Sequence, residues 1–353
     1  MRFQSGLLLL AVVLFSLTPA NAATCPTDVP VVTIPPHSQG GFTWGNGIRP
    51  MNDPCVYDIA VDPLNDATWF VGGYTGLYMT KTNGLFWTKP LLGNVGTIYL
   101  EPNHQLVYVG IANRLYLSRD KGQTWNVIGT YNATVKSVLV VNNTLFVGLG
   151  WSTHGVPSGI WRSNLGGGLA NFFPFGPTHT GLIVWTLAYD PIDDVLYAGC
   201  EIYDHQPEPY VPKFFRSATA GVTWSSNLQG IMPNHVVDSA VRPSDGYLYA
   251  LNESLGVYGS STNGTTWVPP TSPMGVGASL LMDPLQTTRL FAGRQKSGLI
   301  IGDGGAWVSV DSGKSFTPIG LPGATVGHMA FNGTRTKLYA AAYASGIYIS
   351  PMP

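Results

Sequence analysis

The chain has 353 residues, of which 44% are hydrophobic, 12% aromatic and only 10% charged, and its formal net charge is -1. A typical globular domain is about 25% charged, so charge is sparse here, and no basic stripe supplies the footprint that nucleic acid or an anionic membrane requires. With 43 glycines and 27 prolines beside that apolar content, the composition agrees with a folded, turn-rich extracellular β protein.

In chain order, residues 1–22 have the form of a secretory signal peptide: Arg2, an apolar run from Leu7 to Phe15, and Ala20-Asn21-Ala22 as a small-x-small cleavage site. That run is shorter than the roughly 20 residues a membrane span needs, and no later stretch qualifies. A secreted protein without a membrane span is expected. Residues 23–40 are proline-rich and aperiodic, which predicts an extended lead-in. Cys25 and Cys55 flank this arm and are placed to tie it to the body by a disulfide, whereas Cys200 ends a predicted strand and reads as a buried thiol. Three cysteines offer no metal-ligand spacing, and neither a metal nor a cofactor is expected.

From residue 41 to 353 one pattern repeats. A short strand ending in an aromatic-small-Gly run recurs at Trp69-Phe70-Val71-Gly72, Val107-Tyr108-Val109-Gly110, Leu145-Phe146-Val147-Gly148, Leu196-Tyr197-Ala198-Gly199, Leu248-Tyr249-Ala250, Leu290-Phe291-Ala292-Gly293 and Leu338-Tyr339-Ala340. After it comes a hairpin whose clearest copy is Ser118-Arg119-Asp120-Lys121-Gly122-Gln123-Thr124-Trp125. The same spacing places Gly84 and Trp87, Gly221 and Trp224, Gly264 and Trp267, and Asp311, Gly313 and Phe316 in four sister copies; a degenerate one begins at Ser163 and reaches its aromatic at Phe172. A short polar side chain can hold such a turn by bonding nearby N–H groups. Gly supplies positive φ, and the terminal Trp or Phe buries a large apolar face. The order Ser, Asp, Gly, Thr, Trp resembles the Asp-box, or bacterial neuraminidase repeat. Its role is structural, and Thr82, Thr219 and Thr262 stand where Asp120 and Asp311 keep the acid.

Box glycines recur at steps of about 40–55 residues, the period of a propeller blade. Seven second strands therefore predict an all-β fold: a single seven-bladed β-propeller with four strands per blade and almost no helix. The last blade runs out after Gly346 to Ser350 without an outer strand. Gly41-Phe42-Thr43-Trp44 resembles the tail of a box, and it is expected to pair in the last blade and close the ring.

Strand order puts the box turns on one face and the longer loops on the other, and function usually resides in such loops. Blade three contributes Trp151 and His154 there, blade four Tyr203, Asp204, His205, Glu208 and Tyr210, and blade six Arg294. Flat aromatic faces beside hydrogen-bonding side chains suit a sugar ring or a protein hot spot. The expected partner is a carbohydrate or an extracellular protein. Sequons at Asn132, Asn142, Asn252, Asn263 and Asn332 each sit beside a predicted turn, where glycosylation would need them.

The repeat resembles sialidases, two-propeller xyloglucanases, sortilin-type ectodomains and the photosystem II assembly factor. A sialidase resemblance implies three converging arginines, for which only Arg49, Arg114 and Arg294 are placed on the loop face. Their setting, Gly47-Ile48-Arg49-Pro50 included, lacks the family's Phe/Tyr-Arg-Ile-Pro order. A xyloglucanase resemblance implies two facing acids, for which Asp58 with Asp204 or Asp238 are candidates. The photosystem reading fits a single propeller but not a secretory leader. A secreted recognition module is the primary expectation, with a glycoside hydrolase as the alternative.

Overall fold

The computed structural model describes residues 33–53, 55–101, 106–152, 158–164, 171–173, 182–202, 214–226, 235–271, 274–296 and 304–353. Seven antiparallel sheets follow one another along the chain, and within each the strands pair in sequence order. Blade one comprises Val56–Val61, Trp69–Gly73, Gly76–Thr80 and Thr88–Leu92. The second strands fall where the repeat predicts them, from Trp69–Gly73 in blade one to Lys337–Tyr343 in blade seven. The short runs Trp69–Gly73, Val107–Ile111 and Leu248–Asn252 are buried at every position. Each is covered on both faces by neighbouring blades, which is why these strands read as continuous apolar runs and not as alternation. Among the described residues the one helix is a three-residue 3-10 turn, Pro50–Asn52.

Four strands per blade is not uniform. Among the described residues blades four, five and seven have three, and in blades four and five the outer partner shrinks to the single bridges Arg216↔Ser225 and Gly259↔Val268. In both, the chain after the box aromatic soon meets prolines or polar residues, and a proline cannot donate to a ladder. The degenerate box of blade three still brings Asn171–Phe173 against Ile160–Asn164.

The core is divided into seven clusters, one at each seam between adjacent blades. Val135, Val138, Leu145 and Val147 of blade three, for example, pack on Tyr108, Leu115 and Leu117 of blade two. Stability is therefore distributed around the ring, and the seam between blades six and seven carries an addition. There Phe42 and Trp44 join Phe291, Ile319, Leu321 and Tyr348.

That addition is how the circle closes. His37–Gln39 pairs with Phe42–Trp44 through the two-residue turn Gly40-Gly41, both of whose glycines have positive φ, +58° and +84°, as a type I′ hairpin turn requires. So the end of the lead-in, expected to be merely extended, is a strand. The hairpin forms its own small sheet, and its contact with the last blade is made mainly just beyond it. Gly45 N donates to Ile349 O (3.2 Å), and Ile48 and Ile347 exchange two hydrogen bonds of 2.8 Å. Trp44 is fully buried and donates its indole N–H to Ile319 O at 2.7 Å, while Leu321 N donates to His37 Nε2 at 2.9 Å. The N-terminal segment thus wedges between blades six and seven as well as lying along the final strand.

The boxes hold as the residue chemistry predicts. Asp120 accepts from Ser118 Oγ (2.8 Å), Thr124 N (2.8 Å) and Thr124 Oγ1 (2.6 Å), and Ser118 Oγ accepts from Gly122 N (2.7 Å). The Thr124 hydroxyl and amide, with Ser118, hold the Asp120 carboxyl down to about 2. Where Thr replaces Asp the main bond survives: Thr262 Oγ1 accepts from Thr266 N at 2.9 Å. The box tryptophans turn their indole N–H back onto the box glycine carbonyl, as in Trp125 to Gly122 O and Trp267 to Gly264 O, both 3.1 Å.

Candidate functional site

The first strand of a blade starts on the loop face and the second ends there, so the loop face can be built from strand ends even where the loops lie outside the described residues. Every first strand carries a β-bulge within its first four positions: Tyr57, Gly96, Lys136, Trp185, Val237, Ala278 and Gly327 are the extra residues. A bulge removes its residue from the ladder and re-aims the side chain. Here it brings neighbouring blades into contact around the propeller axis. Lys136 Nζ lies over the Trp185 ring, 4.9 Å from its centroid.

Around that pair the ends of blades four and five supply three titratable groups. Trp185 Nε1 donates to Glu201 Oε2 at 2.9 Å. His235 Nδ1 lies 3.3 Å from Glu201 Oε1 and 3.3 Å from Glu253 Oε2. Glu201 is only 2% exposed and His235 29%. Placement comes from the backbone: Ile183 registers with Glu201, and Glu253 N donates to His235 O at 2.9 Å. Burial pushes the Lys136 ammonium down to about 8, against the pull of the Glu201 charge. The result is a half-buried aromatic face and cation at the axis, backed by two carboxylates that share an imidazole.

Across the mouth, blades one and seven present phenols. Tyr57 OH donates to Gly73 O at 3.1 Å and meets Asn94 Oδ1. Burial, then the Asp53 and Asp58 charges, push the Tyr57 phenol's pKa well above its ordinary value, with Tyr343 and Tyr74 adding to the effect. Buried Asp53 anchors this side, accepting from Thr75 Oγ1 (2.6 Å), Tyr78 OH (2.7 Å) and Cys55 N (2.9 Å). Cys55 is disulfide-bonded, Cys25 lies outside the described residues, and Cys200 is buried in blade four with its sulfur in no disulfide.

Of the residues singled out in the sequence, Trp151 falls within the strand Thr144–Ser152. His154, Tyr203, Asp204, His205, Glu208 and Tyr210 lie outside the described residues. Arg294 ends the second strand of blade six and stacks over Trp307 at 4.6 Å. Arg49 donates to Ser345 O at 3.3 Å and Arg114 is exposed on blade two, so these three arginines are spread over different parts of the ring. Asp58 and Asp238 are occupied as clamps between blades. Asp58 accepts from Ile98 N (2.7 Å) and pairs with His328 (2.6 Å), and Asp238 accepts from Leu280 N (2.7 Å) and Thr186 Oγ1 (3.2 Å). Among the described residues no three His, Cys, Asp or Glu side chains are grouped to hold a metal ion, and no helix is long and apolar enough to cross a membrane.

The sequons differ in exposure. Asn132 and Asn142 are exposed, Asn263 donates to Asp193 (2.8 Å), Asn332 is 2% exposed and donates to Asp66 (2.6 Å), and Asn252 is 1% exposed within its strand. A glycan on Asn252, one of the five sequons, conflicts with that burial.

These features define a seven-bladed β-propeller whose outer hairpins resemble the Asp-box. An ancestral GH74 enzyme superposes with a TM-score of 0.67 at 15% identity, covering 92% of this chain and 46% of that one. The extracellular domain of a one-component system from B. thetaiotaomicron gives 0.64 at 12%, covering 87% and 39%. YCF48 bound to D1 peptide gives 0.60 at 12%, covering 91% and 98%. The chain spans less than half the length of the first two, and at these identities the likeness is one of fold. No protein-family model matches the sequence, and no curated protein matches it.

Proposed function

We propose that the protein is a secreted recognition module that binds carbohydrate, or an extracellular protein, at the loop-face mouth of its propeller. The observation that carries this reading is the convergence of Lys136, Trp185, Glu201, His235 and Glu253, from three blades, beside the axis. An aromatic face next to directional donors and acceptors matches a sugar ring, whose C–H face is apolar and whose hydroxyls need oriented partners. The hydrogen bond from Trp185 to a buried carboxylate fixes the ring before any ligand arrives, which lowers the ordering cost of binding. The form of residues 1–22 and the disulfide at Cys55 support an oxidising, extracellular location. Among the fold neighbours, the extracellular domain of a one-component system and a peptide-bound propeller agree with a binding role.

A glycoside hydrolase is the second reading, favoured by one observation. Glu201 and Glu253 both lie against His235, so their nearer oxygens are within twice 3.3 Å of each other, and paired carboxylates are what glycosidases use. Glu201, however, is buried and already engaged by Trp185 and His235, which suits a fixed support better than an acid that must reach a glycosidic oxygen. A combined glycan and polysaccharide screen of the purified protein separates the two. Binding without turnover supports recognition; release of reducing sugar from xyloglucan, or of sialic acid, overturns it.

A further inference from the structure

We propose that Lys136 is a carbonyl-capturing amine, forming an imine with the open-chain aldehyde of a reducing sugar at the loop-face mouth of the propeller. The choice of a sugar as the carbonyl source rests on the carbohydrate reading above; the reactivity rests on the setting of the lysine itself.

Three features set this lysine apart. It is the bulged residue of its strand, out of register between Val135 and Ser137, so its side chain is not committed to a cross-strand pair. Its stem packs on the backbone at Gly150, where a Cβ would come within 2.8 Å of Lys136 Cγ, and this directs the amine toward the Trp185 ring. Among the described residues no carboxylate lies within 4.0 Å of its Nζ. Glu201, whose charge reaches it, is turned to Trp185 and His235. Lys121 shows the contrast, with Nζ 3.2 Å from Asp62 Oδ2. A poorly solvated ammonium with no direct anion gives up its proton more readily, and here burial outweighs the attraction of the Trp185 face for the cation. At about 8, a usable fraction is free base near neutral pH, the form that attacks a carbonyl.

The step balances without a redox partner. The Nζ lone pair adds to the carbonyl carbon, a C–N bond forms, and the C=O π pair moves to oxygen, which takes a proton. The nitrogen loses one proton to give the neutral carbinolamine; its hydroxyl takes a second proton and leaves as water as the nitrogen lone pair forms the C=N bond, and loss of the remaining N–H proton gives the imine. His235 and Glu253, at the same mouth, are placed to exchange protons with solvent there.

The test treats the full chain with glycolaldehyde and sodium cyanoborohydride, whose hydride reduces any imine to a stable secondary amine, followed by peptide mapping. Capture at Lys136 is expected about tenfold faster than at exposed Lys81 or Lys314, rising through about pH 8. Trp185→Ala, which returns the amine to water, should lose that preference, and Trp185→Phe should keep most of it. Capture at Lys136 no faster than at Lys81 overturns the proposal. If glycans still bind in the screen when capture is unselective, the amine inference fails and the recognition reading stands. Selective capture with no glycan bound overturns the sugar as the carbonyl source.

Discussion

His328 Nδ1 lies 2.6 Å from Asp58 Oδ1, joining the first strand of the last blade to that of the first. The pair is one link in a belt. Residues just after the bulges reach to the next blade, as Asp58 does to Ile98 N, Ser137 to Val184 O and Asp238 to Leu280 N. The last blade is therefore held twice, to blade one by this ion pair and to blade six by the N-terminal hairpin.

Burial alone would lower His328, but the Asp58 carboxylate, its hydrogen bond and the charge of Asp238 outweigh it and lift the imidazole to about 9. A group raised above its unfolded value of about 6.5 contributes stability that is fully present below that pH and lost as pH rises to the folded value. Thermal stability should thus decline between about pH 6.5 and 9, and His328→Gln should flatten that decline. Because the imidazole is 39% exposed, water screens the pair, and the loss at pH 6 should be about 1–2 kcal/mol. Melting curves across that range check both.

Trp44 fills the seam between blades six and seven with no exposed surface. Trp44→Ala should cost about 3–5 kcal/mol, and Trp44→Phe less, mainly through the unpaired Ile319 carbonyl. Urea denaturation of both variants measures the difference.

Ser118 is fully buried and its hydroxyl binds Gly122 N. Ser118→Ala should destabilise by about 1–2 kcal/mol, since it strands that N–H. Asp120→Thr should be nearly silent, because Thr262 does the same work in its own box. Equal losses for the two would show that the acid holds the turn as much as the serine does, against this account.

In a eukaryotic secretory host, Asn132 and Asn142 should carry glycans, whereas Asn252 and Asn332, both buried, should be largely bare. Glycopeptide mapping with site occupancies reads this directly.

The scaffold was legible in the sequence because each box repeats a local chemistry: a Ser or Thr, a two-residue turn ending in Gly, and an aromatic. The pairing of Gly40 and Gly41 was equally local, and it marks a hairpin that the resemblance of Phe42-Thr43-Trp44 to a box tail obscured. The candidate site was not legible. Lys136 and Trp185 meet because both sit at bulges, which break the alternation that would reveal their facing. Glu201 and Glu253 are joined through His235 across two blades, a contact with no signature in spacing. Asp58 and Asp238 attract attention as carboxylates in sequence, yet backbone N–H groups occupy them.

The most direct test of the recognition site is the affinity of the strongest ligand from the glycan screen for the wild-type chain and for Trp185→Ala, measured by titration calorimetry. At least a tenfold loss is predicted, worth about 1.4 kcal/mol, with the melting temperature little changed. Unchanged affinity in a folded variant would contradict the placement of the site at the mouth beside blades three to five.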